Sequence, residues 1–138
     1  MNCAVVYFSR SGNTKKLADG VAEVLGVTAS DITTSLTEKT DLVFLGSSLY
    51  AGGFDPAVGE FIRKNADKIG KLVCFGSSAS GTSTAKKVKA LASELGIAVY
   101  DDIFNCPGHF LFMHKDRPND KDVEAVKEFT KSVLKKLS

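Results

Sequence analysis

Short apolar runs alternate along this chain with stretches in which apolar residues return every third or fourth position. A parallel sheet joined by crossover helices imposes that pattern. The first run, Cys3-Ala4-Val5-Val6-Tyr7-Phe8, predicts a buried strand over residues 2–8. Leu17, Val21 and Leu25 then share one helical face, and Gly26 stands where a helix would stop. A weaker strand is expected around 27–32, and residues 33–40 have room for a short turn or a single helical coil at most. The third strand reads Asp41-Leu42-Val43-Phe44-Leu45 and ends at Gly46. Asp55 as N-cap and Pro56 at the first helical position open the next helix, with Val58, Phe61, Ile62 and Ala66 facing inward. Leu72-Val73-Cys74-Phe75 is the fourth strand. The helix after it turns Ala85, Val88, Leu91, Ala92 and Leu95 inward and stops at Gly96. A fifth strand is expected over about 97–104. After an irregular stretch, Pro118-Asn119 opens a last helix that buries Val123, Val126, Phe129, Val133 and Leu137.

This alternation predicts an α/β fold, a three-layer α/β/α sandwich made by residues 1–138 as one domain. In such sheets the loop between a strand's C-terminal end and the next helix is where phosphate binds, because the helix's unpaired N–H groups and positive dipole end face the anion. Here that loop is Ser9-Arg10-Ser11-Gly12-Asn13-Thr14, dense in short hydroxyl and amide side chains. The chain has no G-x-x-x-x-G-K-[ST] and no G-x-G-x-x-G after the first strand, which removes nucleotide-hydrolase and dinucleotide readings. The loop resembles that of the flavodoxin family, [ST]-x-[ST]-G-[NT]-T, which wraps the phosphate of FMN. Ser9, Ser11, Gly12, Asn13 and Thr14 meet every constrained position.

The resemblance implies a five-stranded parallel sheet in the order 2-1-3-4-5. Flavodoxin is itself a standard example of the rule that places the ligand at the switch point between strands one and three. The loops after strands one, three and four are then all expected to be rich in Gly and small polar residues, and residues 9–14, 46–53 and 76–83 are. Arg10 and the pair Lys15-Lys16 flank the phosphate loop. Arg10 has two open uses, pairing with the phosphate or pointing to solvent. In the second loop, Ser47, Ser48, Leu49, Tyr50, Ala51 and Gly52 are the candidate flavin contacts. Tyr50 can stack on the ring and Leu49 can cover it. The resemblance implies that a peptide within Ala51-Gly52-Gly53 reorients as the flavin is reduced. Ser77, Ser78, Ala79, Ser80 and Gly81 would meet the pyrimidine edge, without the aromatic residue that many flavodoxins place there. The segment Asn105-Cys106-Pro107-Gly108-His109-Phe110-Leu111-Phe112-Met113-His114 then has three open uses: to shelter the flavin, to dock a partner, or to pack under the last helix. Phe104-x-Cys106-Pro107-Gly108 and Arg117-Pro118-Asn119-x-Lys121-Asp122 resemble a pattern of small flavodoxin-family proteins of anaerobic bacteria.

Composition narrows the partners. A net charge of +2, with lysines spread along the helices, is too small and scattered for a nucleic-acid footprint. It also departs from the acidic flavodoxins that dock on basic partners. No stretch nears the roughly 20 apolar residues of a membrane span, and the first strand begins too early for a signal peptide. Three cysteines make no disulfide framework, and Cys3 and Cys74 fall in apolar strands. A cytoplasmic monomer without membrane or nucleic-acid contacts is expected. His109 and His114 lack the companions of a metal site. No acid–base pair or substrate pocket is evident. The resemblance therefore implies an FMN electron carrier working between redox partner proteins, a reductase donor or an acceptor. The alternatives are a small FMN reductase or oxidase acting on a quinone, a tetrapyrrole or NAD(P)H, and a flavin-free accessory module. Ser48-Leu49-Tyr50-Ala51-Gly52 resembles the flavin loop of flavodoxin-like protoporphyrinogen oxidase, whose long insertion near strand five this chain is too short to hold.

Overall fold

The computed structural model describes residues 2–8, 13–48, 56–77, 85–100, 104–106 and 120–137. Among the described residues six strands form one sheet: β1 (Cys3–Phe8), β2 (Ser30–Asp31), β3 (Thr40–Ser48), β4 (Ile69–Ser77), β5 (Ala98–Val99) and β6 (Phe104–Cys106). All pairings are parallel, in the order β2-β1-β3-β4, with β5 and β6 both beside β4. The helices are α1 (Asn13–Leu25), α2 (Pro56–Lys64), α3 (Ala85–Glu94) and α4 (Asp120–Leu137), and a short 3-10 turn spans Ala66–Lys68.

Strand alternation divides the core in two. Leu42 and Phe44 of β3, with Val5, Val73 and Phe75, meet α1 and α4 on one face. Val43 and Leu45, with Val6, Leu72 and Cys74, meet α2 and α3 on the other. Strands buried on both faces read as unbroken apolar runs, which is why β3 and β4 stood out in the sequence. The helical faces follow: Leu17, Val21, Val58, Phe61, Ile62, Val88, Leu91, Ala92, Val126 and Val133 are buried. Against α4, Gly20 leaves room that a Cβ would lose, since it would stand 3.0 Å from Val123 Cγ1. The Lys127 ammonium bridges to Glu23 at 2.9 Å across the same helix pair, and that bond holds its pKa above the ordinary lysine value.

Both predicted glycine stops hold. Gly26 and Gly96 have φ of +70° and +76°. Val27 N–H reaches back to Ala22 O at 3.1 Å, and Ile97 N–H to Ala92 O at 2.9 Å. These are the six-to-one bonds that a left-handed residue closes at a helix end.

Other boundaries move. β3 and β4 run past their apolar cores, so Gly46, Ser47, Ser48, Gly76 and Ser77 are strand residues rather than loop. Backbone pairing continues wherever a neighbour is present, whatever the side chain. The weak second strand shrinks to Ser30–Asp31, and Val27 lies exposed outside it. The fifth strand comes in two pieces. Leu72 pairs with Val99 and Phe75 with Phe104, so three steps along β4 match five along its neighbour. Leu95 follows the last residue of α3 and is exposed, not inward-facing.

Residues 33–39 follow as a turn and bends, begun where the Asp31 carboxylate accepts from Thr33 N–H at 2.9 Å. Buried Asn65 ties this segment to α2: its Oδ1 accepts from Leu36 N–H at 3.0 Å, and its Nδ2 donates to Phe61 O at 2.9 Å. Asn65→Ala is expected to cost about 1–3 kcal/mol, because the Leu36 amide loses its acceptor in a part-buried place. Denaturant unfolding checks this, together with faster hydrogen exchange at Leu36. An unchanged midpoint would mean that the turns hold themselves.

Candidate functional site

The C-terminal ends of the strands meet in register along one sheet edge. Phe8 of β1 pairs with Ser47 of β3, Ser47 with Gly76 of β4, and Gly76 with Asn105 of β6. One residue further, Ser48 pairs with Ser77 and Ser77 with Cys106. At about 4.8 Å between strands, the four-strand row is about 14 Å wide. β1, β3, β4 and β6 therefore end side by side, at Phe8, Ser48, Ser77 and Cys106. Ser9, Arg10, Ser11, Gly12, Leu49, Tyr50, Ala51, Gly52, Ser78, Ala79, Ser80 and Gly81 lie outside the described residues, as do Pro107 to His114 with both histidines. Asn105 and Cys106 belong to β6, not to the loop in which the sequence placed them.

β1 is the switch point: the chain leaves it toward β2 on one side and is flanked by β3 on the other. Ligands of open parallel sheets sit in the crevice at that point, a rule for which flavodoxin is itself an example. Only residues 9–12 separate β1 from α1, so the start of α1 is held directly above the edge. Thr14, in the first turn, is wholly buried. Its Cγ2 lies 2.9 Å from where a Cβ on Gly46 would stand, so the methyl occupies the space that the glycine leaves. Helix and strand approach closely here because Gly46 has no side chain.

The electrostatics at this helix start favour an anion. No acidic residue occupies the first turn of α1, whereas α4 carries Asp120 and Asp122 in its own. The positive end of the α1 dipole is therefore not compensated within the helix. Lys15 is engaged along the helix, 3.2 Å from Asp19, and that hydrogen bond raises its pKa. Ser47 is buried in the same edge. Neither Cys3 nor Cys74 supplies a reactive thiol. Burial pushes Cys74 up to about 12, and desolvation raises Cys3 as well. Among the described residues no three His, Cys, Asp or Glu side chains gather as metal ligands, and no described helix is long and apolar enough to cross a membrane.

Residues 4–106 match the family model described as a flavodoxin domain. The chain belongs to the flavodoxin family. A flavodoxin from the domain Archaea superimposes with a TM-score of 0.80 at 21% identity, over 99% of this chain and 98% of that one. Flavodoxin 2 from Bacillus cereus gives 0.72 at 18% identity, over 99% of both chains. In sequence, an uncharacterized protein of Methanocaldococcus jannaschii is 26% identical, over 98% of this chain and 99% of its own. The flavodoxin order 2-1-3-4-5 is the observed one, with β5 and β6 sharing the fifth position.

Sequence reasoning missed Phe75 and the steric roles of Gly46 and Gly76. Two glycines directly after apolar strand cores were the available signal. In sequence they read as loop residues, whereas each lies inside a strand where another group comes close.

Proposed function

We propose that this chain is an electron carrier that holds FMN at the β1/β3 switch point and shuttles electrons between redox enzymes. FMN is the cofactor of the flavodoxin family to which the chain belongs. The seating of Thr14 on Gly46 carries the placement, because it sets an acid-free helix start over the strand end beside β1. The residues present suit a phosphate: helix N–H groups, no carboxylate in the first turn, and the short polar side chains of Ser9, Ser11, Asn13 and Thr14. Arg10, between Ser9 and Ser11 in sequence, supplies a counter-charge in this reading.

In this reading Ser47, Ser48, Leu49, Tyr50, Ala51 and Gly52 flank the flavin ring, with Tyr50 stacked on it and excluding water. Ser77, Ser78, Ala79, Ser80 and Gly81 meet its pyrimidine edge with hydroxyls and backbone N–H groups. Bound FMN supplies the redox chemistry, taking electrons from one partner and releasing them to another. The protein's residues bind, orient and shield it. The partners are a reductase donor and an acceptor enzyme, met in the cytoplasm by a monomer.

Anaerobic stepwise reduction of the FMN-saturated protein, followed by visible absorbance, tests the carrier reading. Two separated one-electron steps are expected. A single two-electron step with rapid turnover of NAD(P)H, a quinone or a tetrapyrrole would make it a reductase or oxidase instead. Protein that takes up no FMN would refute both.

A further inference from the structure

One rung below the strand ends, a row of residues crosses the sheet on the α1 side. Tyr7 pairs with Gly46, Gly46 with Phe75, and Phe75 with Phe104. Phe75 is buried in the cluster beneath α1 and α4, with Tyr7 and Phe104 packed against that cluster. Phe104 continues to Phe129 of α4, ring centroids 5.7 Å apart. Gly46 is the gap in this aromatic row, and the gap is filled from two sides. A Cβ on Gly46 would stand 2.5 Å from Phe75 Cε2, 2.6 Å from its Cζ and 2.9 Å from Thr14 Cγ2. The far edge of one ring and the methyl of the first helical turn therefore share a single side-chain volume.

We propose that Phe75 is a positioning residue for the flavin phosphate: its ring edge, lying over Gly46, sets the height of the first turn of α1 above the sheet. The unpaired N–H groups of that turn are directed at the anion, and their distance from it follows the seat of Thr14. Close-packed interiors transmit such a displacement instead of absorbing it. This inference rests on the FMN reading above.

The test is binding of FMN and of riboflavin, which lacks the phosphate, to the wild-type protein, Phe75→Leu, Gly46→Ala and the double variant. Phe75→Leu removes the ring edge, so FMN binding is expected to weaken about tenfold or more while riboflavin binding stays within about threefold. Gly46→Ala alone overfills the slot and acts in the same direction. Together they exchange volume, and the double variant is expected to recover the wild-type ratio of the two affinities. Hydrogen exchange in the flavin-free protein gives a second readout. The amides of Leu17 and Ala18, which close the helical ladder on Asn13 and Thr14, should exchange faster in Phe75→Leu and slow again in the double variant.

A Phe75→Leu protein with an unchanged affinity ratio, or single effects that merely add in the double variant, would overturn the proposal. Wild-type protein that does not prefer FMN over riboflavin would overturn the phosphate reading, and this proposal with it. The wild-type measurement thus separates the two failures.

Discussion

Gly76→Val is expected to unfold about 10 °C or more below the wild-type protein, the largest loss of stability anticipated for a single substitution at the strand ends. A Cβ on Gly76 would collide with the carbonyl oxygen of Ser47, its partner on β3. That obstacle is backbone, so no rotamer change relieves it, and β3 and β4 must part. Overpacking costs about 1–3 kcal/mol where side chains can yield, and a backbone obstacle belongs at the top of that range or beyond. For a chain of this size each kcal/mol shifts the midpoint by roughly 3–6 °C. The rungs Ser48–Ser77 and Ser77–Cys106 lie directly beyond the collision, so FMN affinity should fall with stability. Thermal unfolding with and without FMN measures both. A midpoint within about 3 °C of wild type would mean that the strand ends separate at little cost.

Thr14→Val acts through a different link. The replacement keeps the methyl that fills the space over Gly46 and removes the hydroxyl from the first turn of α1. Hydrogen bonds to a charged acceptor contribute about 1.5–3 kcal/mol, so FMN should bind roughly 10- to 100-fold more weakly. Riboflavin binding should be unaffected, while flavin-free stability should fall by about 1–3 kcal/mol, since the hydroxyl removed is wholly buried and its hydrogen bonding is lost with it. Fluorescence titration with the two flavins decides it. Undiminished FMN affinity would make Thr14 a spacer that only seats the helix.

The two substitutions separate the layers of the site. Gly76 lies within the sheet and governs whether the edge keeps its shape. Thr14 belongs to the helix that the edge carries and, in the FMN reading, would meet the ligand. Phe75 links them, since its ring reaches the slot in which Thr14 is seated.

Much of this was legible in the order of residues. Runs such as Leu42-Val43-Phe44-Leu45 mark a buried strand by their composition alone, and β3 is buried on both faces. Gly26 and Gly96 announced helix ends because the conformation that ends a helix is one that side chains resist. The hydroxyls, amides and glycine of residues 9–14, placed before a helix, carry the expectation of an anion site. Local chemistry of this kind is carried by neighbours in sequence.

What the sequence did not reveal concerns groups distant along the chain. Gly46 and Gly76 read as loop because small residues follow the apolar cores. Only pairing with Phe75 and Ser47 shows that they stand within strands, at places where a ring or a carbonyl needs the room. Asn65 and Leu36 lie 29 residues apart, and no periodicity predicts their hydrogen bond. The break between β5 and β6 is likewise a matter of register against β4. The sequence by itself determined the succession of strands and helices and the two-sided core, because each rests on burial period or local backbone preference. The tertiary structure alone decided how far the strands run and what fills the space over Gly46, because those depend on which distant atoms the folded sheet brings within van der Waals reach.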